Sequence, residues 1–231
     1  MNRSLIKTSS TTSPSAPYPM PFVRVELAVL SIVDGSLAVL LGRRAQAPYV
    51  GQWALPGGVL RIDLDDDLNA AAQRIARERL GTTVPFLRQL TAVGSRHRDP
   101  RAPWALSIAY RAMVPFESLT PAAGKRLEAL AWRAADEAAC DGALAFDHPA
   151  LIMNAINATR REVDELLLPF EFLPEHFTLG ELQVCCEAML GRRLDKSSFR
   201  RRLDDRKVVE AIPGEMKTGA FRPAQLFRKS Q

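Results

Sequence analysis

Two groups of side chains in this sequence have the residue types and spacing to do chemistry on an anion. The first is Arg43, Trp53, Arg61, Arg98, Asp99 and Arg101. A guanidinium presents a planar fork that matches two phosphate oxygens at once, so Arg98 and Arg101 in the run Arg98-Asp99-Pro100-Arg101 suit a diphosphate. Trp53 or Trp104 can stack on a base. The competing reading is an Arg–Asp surface turn with two core tryptophans.

The second group is Lys196, Ser197, Arg200 and Arg201. Positions 196/200 and 197/201 share a helix face at i, i+4, while Phe199 and Leu203 point the other way. That geometry aims a polar set at a DNA major groove. Lys217, Thr218 and Arg222 follow nearby, suited to phosphates or a minor groove. A solvated basic helix in a protein-binding module is the alternative.

The elements that must hold these groups are legible in the patterning. Val23 to Val33 is β-branched and apolar, Asp34-Gly35 marks a turn, and Ser36 to Leu41 reads as the second strand of a hairpin. A loop from Arg43 to Arg61 carries Pro56-Gly57-Gly58. Leu68, Ala71, Ala72, Ile75, Ala76 and Leu80 then recur at helical spacing, and Gly81 stops the helix. Strands are expected over Leu87 to Ser95, Ala105 to Val114 and Ala129 to Arg133, then a helix from about Pro149 to Leu167. Strands alternating with helices in this order imply an α+β fold, a mixed sheet with helices on its faces. About 130 residues suffice to bury roughly two thirds of the unfolded surface.

Past Pro169 and Pro174 the composition changes. Thr178-Leu-Gly-Glu181 forms a capping box, starting a helix that Gly191 ends with Leu182, Cys186 and Met189 on one face. Asp195 caps a second helix, Lys196 to about Arg206. Val208 to Ile212 reads as a strand, Pro213 to Gly219 as a turn-rich tip, and Pro223 to Arg228 as the returning strand. Helix, turn, helix and hairpin make a winged helix-turn-helix. Charge follows the same boundary. Residues 160–191 hold two basic and seven acidic side chains, whereas residues 192–231 hold twelve basic and five acidic ones. The resulting division is a disordered tail over 1–21, a sensing domain over 22–150, a linker helix and connection over 151–174, and a DNA-binding domain over 175–231.

Composition narrows the class. The 231 residues are 47% hydrophobic and 25% charged, which excludes a wholly disordered chain. No apolar run approaches the roughly 20 residues that span a bilayer, so no membrane partner is expected. A net charge of +5 with a pI near 9.4 leans toward an anionic partner. Cys140, Cys185 and Cys186 lack metal or disulfide spacing and read as buried free thiols in a reducing cytoplasm. The first 21 residues lack the apolar stretch of a secretory signal.

The run Ala54-Leu-Pro-Gly-Gly58, followed by a helix ending at Gly81, resembles the Nudix family. The family's box places glutamates on this helix to hold hard divalent cations, which neutralise a pyrophosphate and activate water. Anchored at Arg74 and Gly81, this sequence has a loop two residues longer than the box. Asp66 falls at the first acidic position, Ile75 replaces a glutamate, and Glu78 remains beside Arg79. Isoleucine cannot ligate magnesium and arginine repels it, so no metal site and no catalytic residue are expected. Arg98 to Arg101 resembles a segment of ADP-ribose-handling Nudix proteins, and Ala145-Phe-Asp-His148 a segment near the domain's end.

The combination of this box with Leu194 to Leu203 and Gly219 to Arg228 resembles the Nudix-related transcriptional regulators of the NrtR group. That resemblance implies a homodimeric repressor on a pseudo-palindromic double-stranded operator, a nucleotide effector such as ADP-ribose, and control of NAD metabolism genes. No cofactor is expected. The enzyme alternative is a magnesium-dependent hydrolase of ADP-ribose or a related nucleoside diphosphate derivative, using the residual Glu78 and Asp66. A winged helix serving only protein contacts is a third reading.

Overall fold

The computed structural model of the chain describes residues 20–218 and 223–230. The tail expected over 1–21 lies outside these residues up to position 19, as does Arg222. The first domain is built on a seven-stranded mixed sheet. Its strands are β1 (Phe22–Val33), β2 (Ser36–Arg44), β3 (Trp53–Ala54), β4 (Gly57–Val59), β5 (Arg88–Ser95), β6 (Ala105–Met113) and β7 (Leu127–Ala134). β1 pairs in parallel with β6 and antiparallel with β2. The loop expected over Arg43–Arg61 therefore holds two short strands. β3 pairs with β2 and β4 with β1, which folds the loop back over the sheet.

Alternation along β1 sorts its side chains between two layers. Val25, Leu27 and Val29 face α1 (Leu68–Leu80), where Ala71, Ala72, Ile75, Ala76 and Leu80 close the layer. Asp67 caps this helix by accepting from the Ala70 N–H at 2.7 Å, and Gly81 ends it in a left-handed turn at φ 69°. Ala28 and Leu30 face the opposite layer, against Leu151, Ile152, Ala155 and Ile156 of α3 (His148–Asp164). A short helix, α2 (Ala135–Cys140), precedes it and has no counterpart in the sequence pattern. Residues 151–174, expected as a linker helix and connection, thus contribute α3 side chains to the core.

The second domain carries the expected pair of helices, α4 (Leu179–Leu190) and α5 (Lys196–Arg206). Thr178 and Glu181 form the capping box, and Gly191 is left-handed at φ 66°. Two corrections concern the wing. β9 (Val209–Lys217) runs past the expected tip to Lys217 and pairs with β10 (Ala224–Lys229), while Pro213 and Gly214, where a turn was expected, fall in a register shift between Ala211 and Met216 with Gly214 left-handed at φ 75°. A two-residue strand, β8 (Phe177–Thr178), adds a third strand on β10. Pro213 is tolerated because it lies in this register shift on an edge strand, where no ladder bond needs its missing N–H.

Leu182, Cys186 and Met189 of α4 and Phe199 and Leu203 of α5 belong to the same buried cluster as α3 and the sheet. One continuous core therefore runs from the sheet to the helix-turn-helix. Cys185 and Cys186 are buried, and burial pushes both thiols up to about 12. Cys140 is exposed, against expectation, because it ends α2 at the surface.

Candidate functional site

The sheet and α1 enclose a pocket whose charge is one-sided. Arg24, Arg44, Arg79, Arg101 and Arg126 line it, and among the described residues no carboxylate does. Each arginine comes from a different place: β1, the end of β2, α1, the loop before β6 and the loop before β7. Arg79 donates from Nε to the Gly57 carbonyl at 2.9 Å and from Nη1 to the Lys125 carbonyl at 2.8 Å. Arg44 donates from Nε to the Pro48 carbonyl at 2.7 Å. Carbonyls orient these forks without neutralising them. Burial, with Arg24 and Arg101 nearby, lowers the Arg44 pKa to about 10. Burial and then Arg126 lower that of Arg79 as well.

Behind the arginines sits a buried network. Glu26 accepts from Arg24 Nε at 2.7 Å, and both are almost fully enclosed. Burial opposes the Arg24 charge, but Glu26 beside it keeps its pKa above the usual value. His148 Nδ1 accepts from the Leu55 N–H at 2.8 Å, which assigns the ring proton to Nε2. That Nε2 lies 3.9 Å from Glu26 Oε2, and among the described residues neither atom has a hydrogen-bond partner. Burial drives His148 down to about 4, so the ring is neutral. Phe146, left-handed at φ 59°, has the guanidinium groups of Arg44, Arg24 and Arg101 over its ring at 5.0, 5.6 and 5.9 Å.

Of the six side chains expected at the effector site, only Arg101 lines this pocket. Asp99 is buried and orients it, accepting from Arg101 Nε at 2.8 Å. Arg98, itself buried, turns the other way into an ion pair with the exposed side chain of Asp147. Arg43 is exposed and lies 3.4 Å from Glu128, and Arg61 pairs with Asp63 at 2.6 Å on the surface. Trp53 packs against the core under Arg133, and Trp104 closes over Gly94. Arg24, Arg44, Arg126, Glu26 and Phe146 did not emerge from the sequence as site residues. Arg24 and Glu26 carried a signal nonetheless, being the two charges within an otherwise apolar strand.

The carboxylates on and before α1 do not form a cation site. Glu78 is the one acidic residue of the helix, 3.4 Å from Arg74 Nη1 and 3.9 Å from Arg79 Nη1. Asp65, not Asp66, faces the helix, where Arg74 clamps it at 2.6 and 2.8 Å. Asp66 is exposed. Among the described residues, no group of three or more His, Cys, Asp or Glu is placed to hold a metal ion. Magnesium, which the Nudix fold implies, does not fit this donor set.

On the second domain, Lys196, Ser197, Arg200 and Arg201 are exposed along α5 while Phe199 and Leu203 anchor it at 3% and 1% exposure. Asp195 caps the helix, accepting from the Ser198 N–H at 2.8 Å. Among the described residues no ion pair involves Lys196, Arg200 or Arg201, so their charge is directed outward. Lys217 is instead paired with Glu181, and Thr218 is exposed beside it. Glu187 sets the turn between the helices. It accepts from the Gln183 amide at 2.9 Å, the Leu194 N–H at 2.9 Å and Arg193 at 2.8 Å, and these contacts hold its pKa at about 2.

Comparison with known proteins matches both halves. Residues 23–153 match the NUDIX domain model, and residues 169–228 match the NrtR DNA-binding winged helix domain. The ADPR responsive transcriptional repressor NtrR of Acinetobacter baylyi is 36% identical over 211 residues, 91% of this chain and 83% of that protein. The chain belongs to the NrtR family of Nudix-related regulators. Solved NrtR structures agree with that assignment. Shewanella oneidensis NrtR complexed with a 27mer DNA superposes with a TM-score of 0.70 at 28% identity, covering 90% of this chain and 93% of that one. Its NUDIX domain complexed with ADP ribose gives 0.56 at 27% identity, covering 64% and 94%. Within the described residues of this NrtR-family chain, no helix is long and apolar enough to cross a membrane.

Proposed function

We propose that the protein is a cytoplasmic transcriptional repressor whose Nudix domain senses ADP-ribose or a closely related nucleotide diphosphate without cleaving it. The observation that carries this reading is one continuous core joining a carboxylate-free arginine pocket to an outward-facing basic helix. Family membership supports both halves, since one relative is named as ADPR-responsive and another is solved on DNA. NAD metabolism genes are the regulated set that this kinship favours. A homodimer would place two α5 helices about a two-fold axis, on a pseudo-palindromic operator.

The coupling follows from linkage. An effector shifts DNA affinity only if it binds two arrangements of the protein unequally. α3 offers the connection. Arg160 donates to Asp136 of α2 and to the Met189 carbonyl of α4, while Asp164 accepts from Arg192 and Arg202 of the DNA-binding domain. Movement around the pocket is thereby passed to the helix that reads DNA.

The test is fluorescence anisotropy with the protein's own promoter-region DNA, with and without ADP-ribose. Arg200→Ala with Arg201→Ala should abolish sequence-specific binding and reduce the salt slope by about one for each phosphate no longer neutralised. Undiminished binding by that variant would refute the α5 assignment. Incubation with ADP-ribose and magnesium separates the hydrolase alternative. Brisk release of AMP, abolished by Glu78→Gln, would favour an enzyme. The structure speaks against that outcome, because Glu78 is shared between two arginines.

A further inference from the structure

We propose that the pocket binds the diphosphate of its ligand through guanidinium groups alone, with Arg79 supplying the positive charge that a divalent cation supplies elsewhere in this fold. Ligand binding is then independent of metal. The inference rests on the pocket being the effector site, and its test separates the two ideas.

Magnesium demands near-octahedral oxygen ligands and is usually held by one or two carboxylates together with phosphate oxygens. On α1 the sole carboxylate, Glu78, is flanked by Arg74 and Arg79. Ile75 is fully buried in the core and offers nothing to a cation. Arg79, one residue beyond Glu78, reaches into the pocket and is fixed there by two backbone carbonyls. A guanidinium so held is a preorganised cation, and its Nη2 donors, in no hydrogen bond among the described residues, are left for an oxyanion.

The rest of the lining follows the same logic. Of the carboxylates beside the pocket, Glu26 and Asp99 are spent on Arg24 and Arg101 and do not line it. Among the described residues Arg44 has carbonyl partners only, Arg79 is held by two carbonyls with Glu78 no nearer than 3.9 Å, and Arg126 is in no ion pair. The pocket therefore carries uncompensated positive charge, which a dianionic diphosphate removes and a magnesium ion worsens. Several forks also give more bidentate geometry than one metal ion bridging two oxygens.

Isothermal titration of the full chain with ADP-ribose, in EDTA and in millimolar magnesium, tests this directly. Affinity should agree within about threefold between the two conditions. Arg79→Ala should weaken binding about tenfold or more, as expected when a charge-assisted hydrogen bond is removed. Arg126→Ala, at an exposed position that does not endanger the fold, should weaken it in the same direction. Inorganic pyrophosphate should compete in EDTA. Binding that requires magnesium overturns the proposal and leaves the effector reading intact. Metal-independent binding that neither variant weakens overturns the arginine cradle. If pyrophosphate binds in EDTA and ADP-ribose does not, the cradle stands and the effector reading fails. No binding of either ligand overturns both.

Discussion

Replacing Gly57 by alanine adds a single methyl group at the most crowded point of the site. The new carbon would overlap Glu26 Oε2, lie 2.7 Å from Glu26 Cδ and 2.9 Å from the Val25 carbonyl oxygen. The carbonyl cannot retreat, because it is part of β1 at the centre of the sheet. Glu26 must move instead, and its other oxygen is held by Arg24 at 2.7 Å inside the protein. Separating a buried ion pair costs about 3–5 kcal/mol. Overpacking alone costs about 1–3 kcal/mol. A loss of about 3–5 kcal/mol is expected, and at roughly 2–4 °C per kcal/mol for a chain of this size the Tm should fall by about 6–20 °C. ADP-ribose affinity should fall with it, since the Gly57 carbonyl seats Arg79. Gly142→Ala is the matched control: nothing lies within 4 Å of its added carbon, so stability should change by less than about 0.5 kcal/mol. Thermal melts of the two variants decide the matter. A Gly57→Ala protein melting within about 2 °C of the parent would show that the Glu26 network is loose and would refute the clash as a source of destabilisation.

Two further outcomes concern pH. His148 is neutral and buried with a pKa near 4, against an ordinary 6.5, so its contribution is complete above pH 6.5 and is lost as the pH falls toward 4. The full shift corresponds to about 3 kcal/mol, of which about 2 should be lost by pH 5 in urea unfolding. His148→Gln should flatten that slope, and an equally steep variant would exclude the histidine as its source. Glu187, held near 2, contributes stability present above its ordinary 4.5 and lost as the pH falls through 2. Glu187→Gln should destabilise the second domain by about 1–3 kcal/mol at pH 7 through weakened hydrogen bonds, and weaken DNA binding by loosening the turn before α5. Unchanged DNA affinity and Tm would show that the turn holds without this carboxylate.

Local signals in this chain report local structure. The capping box at Thr178, the left-handed glycines at 81 and 191 and the helical spacing of Ile75 and Leu80 fix α1 and α4 without any tertiary help. The basic face of α5 was equally legible, because Phe199 and Leu203 allow only one side to face water. The departure of the box from a metal site was also plain from Ile75 and Arg79. The pocket was not. Arg43 and Arg44 are adjacent, yet successive strand residues point to opposite faces, and only pairing with β3 and β7 decides which one faces inward. Arg98 and Arg101 differ in the same way, one claimed by Asp147 and the other turned by Asp99 into the cavity. Arg24 and Arg126 meet from opposite ends of the domain because the sheet order places β1 and β7 on either side of β2. The sequence by itself determined a first helix with a single carboxylate, Glu78, and a winged helix whose second helix carries a basic face. Tertiary structure decided which arginines line the pocket, since that depends on strand register and on which carboxylates are near enough to claim a guanidinium first.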